Sequence, residues 1–271
     1  MNQPRRALGS SGSRVGIVLV AIVVGVALIG PFVAPYSPTA LVGRPFADRS
    51  TRARLGTDFL GHDLLSRVLT GGWKLLLVAT FATVLAYLIG GALGLFAAFA
   101  GRRADGLVMR TMDAFLAFPP LLLILLLAAG LGRGWSSVIV GVVALHVPSL
   151  ARVLRSSAQE VITHGYVEAA VARGDKTRSI LVRQILPNVA HVVAADGGPR
   201  LTGSIYAIAG LNFLGVGATS GQADWAVMIN ENRVGLTNSP LTVLVPAALI
   251  GILTIVVNLV ADAIGDRKAP T

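Results

Sequence analysis

YVEAAVARGDKTRSILVRQILPN, residues Tyr166–Asn188, is a polar and basic segment set between long apolar runs. The runs on either side of it decide the fold. A helix rises about 1.5 Å per residue and pairs its own backbone, so crossing a hydrocarbon core takes about 20 mostly apolar residues. Six segments answer to that description: about Val15–Ala34, Leu75–Ala100, Ala114–Leu131, Ser136–Leu150, Val189–Leu214 and Leu241–Ala261. The fourth is short and ends near Pro148. The first follows Arg5, Arg6 and Arg14, as a signal peptide also would. Its apolar run is long for a signal-peptide core, and Pro35 follows where cleavage would be needed, so it reads as an uncleaved anchor.

Composition leads to the same place. The chain is 54% hydrophobic and 13% charged with a mean hydropathy of +0.73, whereas soluble domains carry roughly a quarter charged residues. A net charge of +10 and a pI near 11.1 do not signal nucleic acid here, because positive loops beside lipid produce the same balance. With no cysteine, disulfides and thiolate metal sites are excluded. An even number of spans puts both ends on one side. With the N-terminus inside, the inner segments hold fourteen Lys and Arg and the outer ones eight, which favours that orientation and places Tyr166–Asn188 in the cytoplasm.

Several ordered motifs resemble one family. Glu168-Ala169-Ala170, Gly174 and Leu186-Pro187 are similar to the EAA signature of membrane subunits of ATP-binding-cassette importers, with Gln184 where the signature has Ile. Leu55–Lys74 resembles the GTDxLGRDxxSRxxxG run of dipeptide and oligopeptide permeases through Gly56-Thr57-Asp58, Leu60-Gly61, Asp63, Ser66-Arg67 and Gly71, with His62 for the usual Arg. Met109-Arg110, Asp113, Phe118-Pro119, Leu211–Gly217 and Asn258-Leu259 with Asp262 continue the likeness. The family's acidic residue before the Leu211 motif is missing, Ile208-Ala209-Gly210 standing there, and its Trp-Gly segment is altered to Ala223-Asp224-Trp225-Ala226.

The resemblance implies an all-α integral membrane protein with six transmembrane helices and the type I importer permease fold. The expected organisation is a cytoplasmic tail (1–14), a first anchor (15–34), an extracytoplasmic segment (35–74), a core permease domain (75–266) with a coupling loop at about 151–188, and a cytoplasmic tail (267–271). Asp63–Leu69, charged on one face and apolar on another, is expected as a helix lying at the outer interface.

In a short cytoplasmic helix, positions 166, 169, 170, 173 and 174 fall on one side. Ala169, Ala170 and Gly174 would let a partner approach closely, Glu168 and Arg173 would set register by charge, and Leu186-Pro187 would end the segment, since proline cannot donate to the preceding turn. By resemblance these residues dock an ATPase subunit. The chain has no G-x-x-x-x-G-K-[ST] phosphate loop, and Gly174-Asp175-Lys176-Thr177 only echoes its end. The implied partners are therefore two nucleotide-binding domains that hydrolyse MgATP, a homologous six-span permease subunit, an extracytoplasmic solute-binding protein and the lipid of a bacterial inner membrane. No catalytic residue, cofactor or metal site is expected on the chain itself, and His62, His146, His164 and His191 lack ligand spacing.

Asp196 and Arg200 are ionisable residues inside the fifth span, four apart and able to pair on one helix face. A residue of this kind, unpaired at the bilayer centre, costs at least ~2.5–3.5 kcal/mol. They are candidates for a pathway or gate and equally for a structural pair. Gly197-Gly198-Pro199 between them would loosen or kink the helix. Gly90, Gly91, Gly94, Gly203 and Gly210 are expected to permit close helix packing. The leading reading is an importer subunit for dipeptides or short oligopeptides. The alternative is an ion- or proton-coupled secondary transporter acting as a homo-oligomer, with Asp196 and Arg200 as its switch.

Overall fold

The computed structural model describes residue 23, residues 25–217 and residues 222–266. The expected tails, 1–14 and 267–271, and the start of the first span lie outside the described residues. A helix over 25–33 (α1) carries the end of that span. It is followed by α2 (Leu64–Phe99), α3 (Gly101–Leu116), α4 (Pro120–Leu131), α5 (Trp135–Ile162), α6 (Gly165–Ala172), α7 (Thr177–Ile180), a π turn (Leu181–Ile185), α8 (Leu186–Phe213), α9 (Trp225–Asn232) and α10 (Leu241–Asp266). The β pairing among the described residues is limited to two isolated bridges, Leu41 with His62 and Thr57 with Asp63.

Three of these helices are long and apolar enough to cross a membrane: α2, α5 and Leu241–Leu259 of α10. The expected third span is broken instead. Its α3 and α4 portions make a crossing only as a pair bent by 93°, with Pro119 in an extended conformation ahead of Pro120 at the first position of α4. Proline pushes the residue before it out of the helical region, and the break follows from that. α8 has the length of a span, but Asn188, His191, Asp196 and Arg200 lower its hydropathy. It runs unbroken through Gly197-Gly198-Pro199.

Two boundaries differ from expectation. α2 starts at Leu64, so Asp63–Leu69 is not a separate helix at the interface. Leu64, Arg67 and Val68 are buried. Asp63 caps this helix, its carboxylate accepting from the Ser66 N–H at 2.9 Å and the Ser66 hydroxyl at 2.6 Å. α5 runs through Pro148 to Ile162, twelve residues past the expected end at Leu150.

The chain forms two compact units. The first contains the described parts of 1–76, 212–214 and 218–260. The motif Gly56–Arg67 is its polar centre. Gly56 has φ +85°, and a side chain there would meet the Ala47 carbonyl oxygen at 2.7 Å. Thr57 accepts from the Ala47 N–H at 2.8 Å and donates to the Arg44 carbonyl. Asp58 accepts from the Leu60 and His62 N–H groups at 2.9 and 2.8 Å, from His62 Nδ1 at 2.9 Å, and from Arg67. The fully buried Arg67 also donates to the Gln222 carbonyl at 2.9 Å and to Glu231 at 3.1 Å. Burial works to raise the Asp58 carboxyl, and the Arg67 charge with the Arg67 and His62 hydrogen bonds outweighs it, holding Asp58 below the ordinary value. Trp225 is fully buried and donates its indole N–H to the Val68 carbonyl at 2.8 Å. A side chain on Gly71 would come within 2.7 Å of that ring. Asp224 caps α9, accepting from Ala226 and Val227 N–H at 2.9 and 3.2 Å and from Asn212 at 3.0 Å. Burial lifts its carboxyl to about 6 against these hydrogen bonds and the charge of Lys74.

The second unit contains 77–211 and 215–217 among its described residues. Its α2 and α5 portions approach through Gly90 and Gly94. A side chain at Gly90 would lie 2.8 Å from Leu150 Cβ, and one at Gly94 would strike the Ala151 carbonyl. Four-residue spacing of small residues allows such backbone contact. Gly210 faces open space. Beyond this crossing, Arg155 and Arg152 of α5 pair with Asp105 and Asp113 of α3, so α3 runs beside the second half of α5.

Candidate functional site

The polar segment quoted at the outset folds as α6, a turn, α7 and a helical run into α8. One side of α6 is anchored: Val167 and Ala170 are buried with Leu154, Ala158, Val161, Ile180, Ile185 and Val189. Ala170 therefore faces its own core, where its small size allows helix approach. The other side stays open. Tyr166, Glu168, Ala169, Arg173 and Gly174 are exposed, and Arg173 reaches Asp175 at 3.1 Å.

Gly174 shapes the end of this surface. Its N–H donates to Val171 O at 2.9 Å and the Asp175 N–H to Ala170 O at 3.1 Å, the two bonds of a Schellman cap. The cap requires positive φ, here +78°, and no atom outside the local chain lies within 4 Å of where a side chain would begin. Glycine meets the conformational demand and leaves an unobstructed surface.

Leu186-Pro187 does not end the segment. Helix continues from Thr177 to Phe213, with Leu181–Ile185 wound as a π turn just ahead of Pro187. Pro187 has no N–H for the preceding turn, and the wider π winding is the way helices absorb such an interruption. Leu186 and Pro187 are exposed, whereas Ile185 is fully buried. The surface of α6 and this junction thus share one core.

Asp196 and Arg200 pair as their spacing predicts. Arg200 Nε and Nη2 donate to the two carboxylate oxygens at 3.0 and 2.9 Å. The pair also reaches two other helices, which the sequence did not reveal. Tyr87 of α2 donates its hydroxyl to Asp196 at 2.6 Å, and Arg200 Nη1 donates to Ser149 of α5 at 2.6 Å. One turn farther along α8, Ser204 is 2.8 Å from Thr83 of α2. His146 is buried near Gly203. The arrangement satisfies both charges inside the unit and joins α2, α5 and α8 by directional bonds.

Residues 90–270 match the family described as binding-protein-dependent transport system inner membrane component. The chain belongs to this family. Among its relatives, a di/tripeptide transport system permease protein of Pseudomonas aeruginosa is 31% identical over 268 residues, covering 96% of this chain and 88% of the relative. A glutathione transport system permease protein of Pectobacterium atrosepticum is 33% identical over 216 residues, covering 80% and 72%. An inward-facing MetNI methionine ABC transporter structure aligns with a TM-score of 0.60 at 19% identity, covering 75% of this chain and 95% of that one. This inner membrane component accordingly has the all-α type I importer permease fold. It is the membrane part of a binding-protein-dependent transport system, as the motif resemblance implied.

Proposed function

We propose that this family member is the permease subunit of an ATP-driven importer for dipeptides or short oligopeptides, lining half of the pathway beside a homologous six-span subunit. Two nucleotide-binding domains hydrolyse MgATP and pull on the docking surface of Glu168, Ala169, Arg173 and Gly174, with Ala170 setting that helix on its core. Leu186-Pro187 carries the movement into α8. Both termini lie in the cytoplasm, and a solute-binding protein delivers cargo from the other side. The observation that carries this reading is the one-sided burial of α6: an exposed small-residue and charged face on a helix whose back is fixed to the core leading into α8. The named relatives handle di/tripeptides and glutathione, and glutathione is itself a tripeptide. That supports short peptides as cargo.

Purification in mild detergent from the native membrane, followed by mass spectrometry of stoichiometric partners, tests the assembly. A Walker-motif ATPase and a second six-span protein are expected. Recovery of the chain alone as a homo-oligomer would overturn this reading and favour ion-coupled transport through Asp196 and Arg200. Gly174→Glu should abolish ATP-dependent uptake without loss of membrane insertion. Gly174→Asn, which tolerates positive φ better than most residues, should keep the cap yet still impair uptake. Normal uptake by both variants would remove the docking assignment.

A further inference from the structure

The second unit holds a groove of about 720 Å³ between α2 and the α7–α8 run, and its lining is apolar apart from Tyr87 and Thr177. The Tyr87 hydroxyl is already donated to Asp196. A peptide cargo placed here would leave its amides and charged termini without partners, which disqualifies it. The groove extends along α2 from Tyr87 to Phe99, a rise of about 18 Å, close to the ~15 Å of one leaflet's hydrocarbon. At its α7 end the lining reaches Thr177, and the neighbours of Thr177 in sequence, Lys176 and Arg178, are exposed. Neither joins an ion pair among the described residues.

An apolar slot one leaflet long, with two exposed basic residues flanking Thr177 at one end, matches one occupant. We propose that the groove binds an anionic phospholipid of the cytoplasmic leaflet, its acyl chain along α2 and α8 and its phosphate at Lys176 and Arg178. The sidedness rests on the orientation given under Proposed function. Basic pockets between helices at the cytoplasmic surface attract anionic headgroups. Leu181 and Leu186 both line the groove, so the bound chain supports the π turn and the junction with α8 from the membrane side.

The test is native mass spectrometry of the protein, with whatever partners copurify, after incubation with equal amounts of phosphatidylglycerol and phosphatidylcholine. One phosphatidylglycerol per chain should be retained in preference to phosphatidylcholine. The double variant Lys176→Gln/Arg178→Gln should retain on the order of tenfold less phosphatidylglycerol, with phosphatidylcholine unchanged. Ala92→Phe, at an exposed position in the groove wall, should reduce retention of both lipids, with gel filtration reporting that the protein remains folded. Equal retention of the two lipids by the unaltered protein, or a double variant with undiminished selectivity, would overturn the proposal. So would efficient disulfide formation between Leu88→Cys and a cysteine placed in a second permease subunit, since protein would then fill the groove. Lipid selectivity in a preparation lacking an ATPase would support the lipid site while the importer reading failed.

Discussion

Arg67 is fully buried and donates to Asp58, Glu231 and the Gln222 carbonyl. Removing it takes from two buried carboxylates the guanidinium that both accept from, so Arg67→Ala should cost about 3–5 kcal/mol. A depressed melting temperature in detergent would report this; an unchanged one would show that the cluster is dispensable. Asp224 behaves in the opposite sense. Its carboxyl sits at about 6 in the folded unit against an ordinary 3.8, so folding favours the protonated form. Its contribution to stability is fully present below about pH 4 and is lost as pH rises through about 6. Asp224→Asn should flatten the change in melting temperature across that interval, and a profile identical to the parent's would locate the titration elsewhere. The sequence displayed both acids, but not their opposite behaviour. Asp58 has an arginine against it, and Asp224 has only dipoles and a more distant lysine.

Three helices meet at Asp196 and Arg200, and only part of that meeting was legible. The pair itself follows from four-residue spacing on α8. Tyr87 lies 109 residues from Asp196 and Ser149 lies 51 from Arg200, separations that no local pattern encodes. Tyr87→Phe removes one hydrogen bond to a charged group and should lower stability by roughly 1.5–3 kcal/mol. Combined with Asp196→Asn, the loss should be smaller than the sum of the two, because both changes break the same contact. Strict additivity in thermal unfolding would deny the link between α2 and α8. Helix boundaries depart from the sequence pattern for related reasons. The charges of Asp63–Leu69 opposite its apolar residues suggest an interfacial helix, yet Asp63 and Arg67 find their partners inside the first unit. Pro148 suggested an end to α5, yet flanking helix and packing carry the chain through it. At Pro119-Pro120 the chain turns through 93° between a charged α3 and an apolar α4, a break that the apolar run itself does not disclose.

At the scale of the whole chain, the family was legible because its motifs lie in order along nearly the full length. Their division of labour was not. The Gly56–Arg67 motif is occupied with internal bonds, whereas the EAA surface is exposed and largely free of them. Sequence displays both as similar runs of polar and small residues. Only burial separates a motif that builds the protein from one that faces outward. The distance between Arg67 and its last partner also gives the molecule a timetable. Glu231 is 164 residues downstream, so at about 5–20 residues per second a ribosome needs roughly 10–30 s to supply it. Throughout that interval Arg67 has Asp58 beside it but lacks Gln222 and Glu231, a mark of incompleteness open to membrane proteases. Nascent chains released before residue 222 should be degraded faster than full-length ones in a pulse-chase experiment, and replacing Arg67 with Met should narrow the gap.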